Sequence, residues 1–146
     1  MSEKVFTSVT EAVLRPDELS TLVAAPGHGA ETLFVGVVRD HHEGRDVRAV
    51  TYDAFRPLAA RTLRTICEEA AVKWQARVAC SHRLGRLEVG EASVAIAAGS
   101  AHRAEAFEAC RYVIEEIKKR LPVWKQEHYA DGDSVWTAGC ALQARR

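Results

Sequence analysis

Positive charge gathered beside apolar segments is the chemically suggestive feature of this 146-residue chain. Arg39 follows directly on an apolar run over residues 30–38, at a strand end where a side chain emerges from a core into a crevice. His102 and Arg103 stand at the start of an expected helix, where free backbone N–H groups and the dipole favour a phosphate or carboxylate. The plainer reading of that pair is two exposed polar residues on a helix capped by Ser100. Lys118, Lys119, Arg120 and Lys125 bracket Pro122-Val123-Trp124. Cations at a helix carboxyl end match its dipole, which accounts for Lys119 and Arg120. Lys118 and Lys125 admit a second reading: if both enter one pocket with Arg39, mutual repulsion disfavours their charged forms. One amine is then poised for proton transfer or nucleophilic attack.

Other chemistry is poorly supported. His41 and His42 imitate metal ligands, but no third ligand is suggested. Cys67, Cys80, Cys110 and Cys140 are widely separated, on apolar stripes or within strands, and read as core thiols in a reducing compartment. His82-Arg83, inside an expected strand, reads as structural. There is no Gly-x-Ser-x-Gly, Walker loop, Gly-x-Gly-x-x-Gly or His-Glu-x-x-His. Twenty Lys plus Arg against 20 Asp plus Glu give net charge +0, and only 7% of residues are aromatic, which argues against an RNA-binding face. Any anion site must be local. The amino terminus lacks a signal-peptide core and no apolar run reaches membrane-spanning length, so a cytoplasmic protein is expected. Its length and 47% apolar content suit one domain over residues 1–146.

The elements that must position these residues follow from periodicity. Residues 4–14 lean to a strand, and Pro16-Asp17-Glu18 suits the first turn of a short helix that Pro26-Gly27 ends. Residues 30–38, apolar on both faces, predict a buried central strand. Residues 39–46 predict a loop, with Val47, Val50 and Tyr52 on the returning strand. Pro57 opens a helix whose apolar stripe is Ala59, Leu63, Ile66, Ala70 and Trp74. Residues 77–86 and 92–99 predict an antiparallel pair. Ser100 then caps a helix with the stripe Phe107, Cys110, Ile114, Ile117 and Leu121, stopped by Pro122. A last strand lies near residues 127–129, before an Asp131-Gly132 turn and Trp136. The order predicts an α+β fold, two main helices covering one face of a mostly antiparallel sheet.

Taken together, Phe34-Val35-Gly36-Val37-Val38-Arg39, Gly44, Val47, Tyr52-Asp53, His82-Arg83-Leu84-Gly85, Gly90-Glu91, Ser100-Ala101-His102-Arg103, Ala106-Phe107, Lys118 and Pro122-Val123-Trp124-Lys125 with Glu127 closely resemble the large, catalytic subunit of molybdopterin synthase, the MoaE family. The resemblance spans about residues 30–136. It implies an α/β-hammerhead type of α+β fold and a sulfurtransferase that converts cyclic pyranopterin monophosphate to molybdopterin. The two sulfurs would come from a thiocarboxylate at the carboxyl terminus of a small ubiquitin-like sulfur-carrier subunit, with no metal and no cofactor. A central homodimer carrying one small subunit at each end, a heterotetramer, is the implied assembly. Carried over residue by residue, the catalytic pair is Lys118 and Lys125. The substrate-binding set is Val37, Val38, Arg39, His102, Arg103, Gln126 and Glu127.

Gln126 stands where the family often has a second basic residue, Leu58 where methionine is usual, and Asp53 where glutamate is usual. None of these removes a proposed catalytic group. A rival reading, a non-catalytic anion- or partner-binding module of the same fold, is opposed by the retention of Lys118, Lys125 and Arg39 together. Helix geometry adds one expectation. His102 and Lys118 are 118 − 102 = 16 positions apart on one expected helix, roughly 24 Å at 1.5 Å per residue, so a pocket using both would draw them from two protomers.

Overall fold

The structure, a computed structural model, describes residues 3–137. Cys140 and the stretch after residue 137 lie outside it. The order is β1 (Val5–Thr10), α1 (Pro16–Val23), β2 (Ala30–Val37), β3 (His41–His42), β4 (Arg45–Ala54), α2 (Arg56–Trp74), β5 (Arg77–Arg83), β6 (Gly85–Glu88), β7 (Ala92–Ser100), α3 (Arg103–Arg120), β8 (Val123–Tyr129) and β9 (Ser134–Thr137). This is an α+β fold, as expected.

The strands divide between two sheets. The first runs β1-β5-β7-β2, with β1 parallel to β5 and the other pairs antiparallel. The second runs β3-β4-β8-β9, with β6 also on β4. The expected single strand over residues 77–86 is broken at Leu84. Gly85, at φ 95°, adopts a backbone open to glycine and costly for other residues, and there the chain leaves the first sheet for the second.

Side-chain alternation assigns the faces of the first sheet. Val78 and Cys80 of β5 and Val94, Ile96 and Ala98 of β7 meet α2 (Leu63, Ile66, Cys67, Ala70) and α3 (Ala109, Cys110, Val113, Ile117) in the main core. The intervening Ala79, Ala95 and Ala97 meet Leu19 and Val23 of α1 on the opposite face. Fully buried residues such as Leu63 and Ile66 each contribute about 1.5–3 kcal/mol by leaving water. A smaller core of Val38, Val47, Val50, Leu87 and Tyr129 joins the second sheet to the end of β2. The two main helices do share one face.

Four expectations need correction. First, β2 is an edge strand. Leu33 is 45% exposed and Val37 52%, because apolar composition on both faces does not say whether the chain's own elements supply the cover. Second, residues 39–46 are a hairpin rather than a loop, with β3 paired to β4 around Glu43-Gly44. Third, Ser100 ends β7 instead of capping α3. It is buried, and its hydroxyl donates to the carbonyls of Trp74 and Gln75, tying the end of α2 to the sheet, while His102 takes the N-cap position. Fourth, Phe107 is 61% exposed, since the stripe that α3 buries is Ala106, Ala109, Cys110, Val113 and Ile117. Cys67, Cys80 and Cys110 are buried, and contact with Cys67 followed by burial pushes the Cys80 thiol well up, so these are core thiols.

Candidate active site

The two sheets meet where β2 ends, and a cavity of about 170 Å³ opens there. Its cations arrive from three elements. Arg39 follows β2, Lys118 lies on the last turn of α3, and Lys125 lies on β8. Val37 and Val38 form part of the wall, and Val38 is anchored by backbone bonds to Glu91 and Gly90. On β8, Lys125 and Glu127 share a face by the two-residue alternation, and their side chains pair at 3.0 Å. Glu127 is only 2% exposed, so a carboxylate shielded from water holds the ammonium of Lys125 in place.

The three lysine and arginine neighbours on α3 separate cleanly. Arg120 bonds Glu69 of α2 at 2.7 Å and Glu116 at 3.0 Å, and Tyr112 donates to the same Glu69. The Arg120 guanidinium holds the Glu69 carboxyl below its usual range, with help from Tyr112. Lys119 lies 3.6 Å from Glu116. Arg120 therefore serves the α2–α3 contact, Lys119 pairs within α3, and Lys118 alone of the three lines the cavity.

The structure thus brings together Val37, Val38, Arg39, Lys118, Lys125 and Glu127. It does not bring Gln126 into the cavity wall. Gln126 is on the other face of β8, in register with Thr51 and Trp136. Nor does it bring His102 and Arg103, which are exposed at the far end of α3. Residues that sequence reasoning left out do line the cavity: Tyr52, Ser93, Ile114, and the histidines His41 and His42. Tyr52 had a signal, its inward position on a strand alternating with Val50. The histidines stood out in the sequence only as a pair imitating metal ligands beside Arg39.

His82 lies beneath this wall. Its ring meets Tyr52 edge-on, with centroids 5.3 Å apart, and its Nδ1 bonds the carbonyl of Arg83 at 3.0 Å. Burial first, and the nearby positive charge of Lys118 as a smaller cause, lower its pKa to about 4. The native state therefore holds a neutral imidazole. As pH falls below the ordinary value of 6.5 the unfolded chain takes up a proton that the native chain refuses until near pH 4. Stability is then complete above about pH 6.5, is lost across that window, and levels off below it. The full loss is about 3 kcal/mol for the shift of roughly two and a half units. Urea midpoints measured from pH 7.5 to 4 in wild type and His82→Gln check this, with a shallower acid slope expected in the variant. Parallel curves would remove His82 as the cause.

An α+β protein with a compact cation-lined pocket at the junction of its two sheets is the class that fold and site define. Known proteins narrow it. The family model described as MoaE protein matches residues 9–120. A molybdopterin synthase catalytic subunit of Synechococcus elongatus is 50% identical over 82% of this chain and 74% of its own length. The corresponding protein of Bos taurus is 45% identical over 91% of this chain and 71% of its own. The crystal structure of molybdopterin synthase from Staphylococcus aureus superposes with a TM-score of 0.84 at 31% identity, covering 88% of this chain and 94% of that one. The chain belongs to the MoaE protein family.

Proposed function

We propose that the chain is the catalytic subunit of a molybdopterin synthase, converting cyclic pyranopterin monophosphate to molybdopterin with sulfur from a thiocarboxylated small ubiquitin-like subunit. The observation that carries this reading is the convergence of Arg39, Lys118 and Lys125 on one cavity. An anionic substrate and an anionic sulfur donor must be held together there, and fixed cations in a partly enclosed site favour both. The planar Arg39 fork suits phosphate, and the two amines suit stabilisation of the negative charge that moves as sulfur attacks carbon. The direct test is to mix the protein with thiocarboxylated small subunit and cyclic pyranopterin monophosphate and look for molybdopterin.

The donor's tail would enter the cavity carboxyl end first. Binding of the small subunit should then weaken as salt screens the contact and should fall sharply when its tail is removed. Titration of intact and truncated partners checks this, and equal affinities would contradict tail insertion.

A second copy of the chain would cover the β2 edge. A groove of about 620 Å³ runs between β2 and α3, lined by Leu33, Phe34, Phe107, Cys110 and Ile114 with Arg111 and Glu115 at its rim. Phe34 and Ile114 also line the cationic cavity, so groove and site are continuous. Two α3 helices related by a twofold axis perpendicular to them run antiparallel, and the position midway between His102 and Lys118 is residue (102 + 118)/2 = 110. Cys110 lies in the groove. An axis there sets His102 and Arg103 of one protomer beside Lys118 of the other. The site would be complete only in the homodimer, and a heterotetramer follows when each site receives one small subunit.

A further inference from the structure

The cavity has a wall that the catalytic reading above does not use. His41 and His42 both line it, on the short hairpin that follows Arg39. The hairpin is held firmly. Glu43 and Gly44 at its tip have φ of 52° and 77°, the two left-handed residues of a tight β-turn, and His41 and His42 pair with Asp46 and Arg45. Arg45 then stacks on the Tyr129 ring at 3.6 Å and bonds Asp131 at 2.9 Å and Asp133 at 3.1 Å, pinning the hairpin to the β8–β9 turn.

Each imidazole has an acidic neighbour. Nδ1 of His41 is 2.9 Å from Asp40, and Nε2 of His42 is 3.6 Å from Glu43. The His41 contact lowers the Asp40 carboxyl. With Nδ1–H donating to Asp40, the proton-exchanging nitrogen of His41 is Nε2. Across the cavity stand Lys118 of α3 and Lys125 of β8, the latter paired with Glu127. Among the described lining residues, the histidines are the side chains of the class that exchanges protons near neutral pH.

We propose that His41 and His42 form the phosphate-facing wall of this site and give a proton to the oxygen released when the cyclic phosphate opens. The inference rests on the molybdopterin synthase reading. When thiocarboxylate sulfur attacks carbon, a C–S bond forms and a C–O bond breaks, and the electron pair stays on the departing oxygen. The donor passes from anion to neutral thioester, and the phosphate passes from diester monoanion to monoester dianion. One unit of negative charge has moved from sulfur to phosphate. Lysine and arginine supply constant charge, whereas an imidazolium answers that movement by transferring its proton and becoming neutral. The resulting monoester monoanion, whose second ionisation lies near pH 6, gives the proton up to water once it is released at neutral pH.

Two measurements test this on the full chain. In the first, imidazole Cε1–Hε1 NMR signals, assigned with His41→Gln and His42→Gln, are followed as inorganic phosphate is added at constant ionic strength. The His41 and His42 signals are expected to move saturably and to titrate at higher pH with phosphate present, while those of His28 and His128, outside the cavity wall, stay still and report an intact fold. Movement no greater than that of His28 and His128 overturns the proposal. In the second, turnover is measured against pH for wild type and the double variant. The wild-type rate should fall on the alkaline side as the imidazolium is lost. The variant should lack that limb, with kcat about 10²-fold lower near pH 7 and a smaller change in KM. Wild-type turnover with kcat and pH profile unchanged in the variant overturns the histidine wall and leaves the synthase reading standing. A phosphate response without any wild-type turnover supports the phosphate wall, and overturns both the synthase reading and the proton transfer that depends on it.

Discussion

Lys118→Ala is expected to lower turnover by roughly 10²–10³-fold, the loss typical of removing one preorganised charge from a site where negative charge moves. The fold should survive. Lys118 is exposed on the last turn of α3 and makes no ion pair among the described residues, while Arg120 and Lys119 carry the contacts to Glu69 and Glu116. A surface substitution of that kind changes stability by about 0.5 kcal/mol or less. Lys125→Ala should be equally inactive but less clean, because it strips a paired cation from the nearly buried Glu127 carboxylate. Single-turnover assays with thiocarboxylated small subunit, run beside thermal unfolding, separate the two effects. Full turnover by a folded Lys118→Ala protein would sink the catalytic assignment.

Mixing two dead proteins should restore activity. In the twofold arrangement, each site takes Arg39, Lys118 and Lys125 from one protomer and His102 and Arg103 from its mate. A dimer of one Lys118→Ala chain and one Arg103→Ala chain then has one doubly damaged site and one intact site. Random exchange makes half of all dimers mixed, so about a quarter of wild-type activity should return. If His102 and Arg103 serve the same substrate as Lys118, the length of α3 requires this arrangement. The helix runs unbroken from Arg103 to Arg120, and its two ends cannot meet in a cavity of about 170 Å³. Proven subunit exchange without recovery would place each site within a single protomer.

Much of the scaffold was legible because helix periodicity is a local property. The stripe from Ala59 to Trp74, the start at Pro57 and the stop at Pro122 can be read without knowing what packs against them, and α2 and α3 lie where those signals put them. Arg39, Lys118 and Lys125 were legible as well, as cations at the ends of apolar elements in a recognisable order. The two-residue alternation of β8 already separates Gln126 from its neighbours, but only a known sheet says which face looks into the cavity.

What the sequence determined by itself is the α+β class, the main helices, the family and the cations of the site. Tertiary structure decided which strands are central and which cations are committed elsewhere. β2 reads as apolar on both faces, yet it is an edge, because sheet order depends on pairings between residues such as Val35 and Ala95 that lie far apart in the chain. Arg120 is absorbed by Glu69, 51 positions away, while Lys118 two residues earlier faces the cavity. His41 and His42 reach the cavity wall on a hairpin that Arg45 fastens to the β8–β9 turn. Periodicity is set by backbone geometry within a few residues, whereas neighbours across a sheet and walls across a cavity are set by contacts that exist only once the chain has closed on itself.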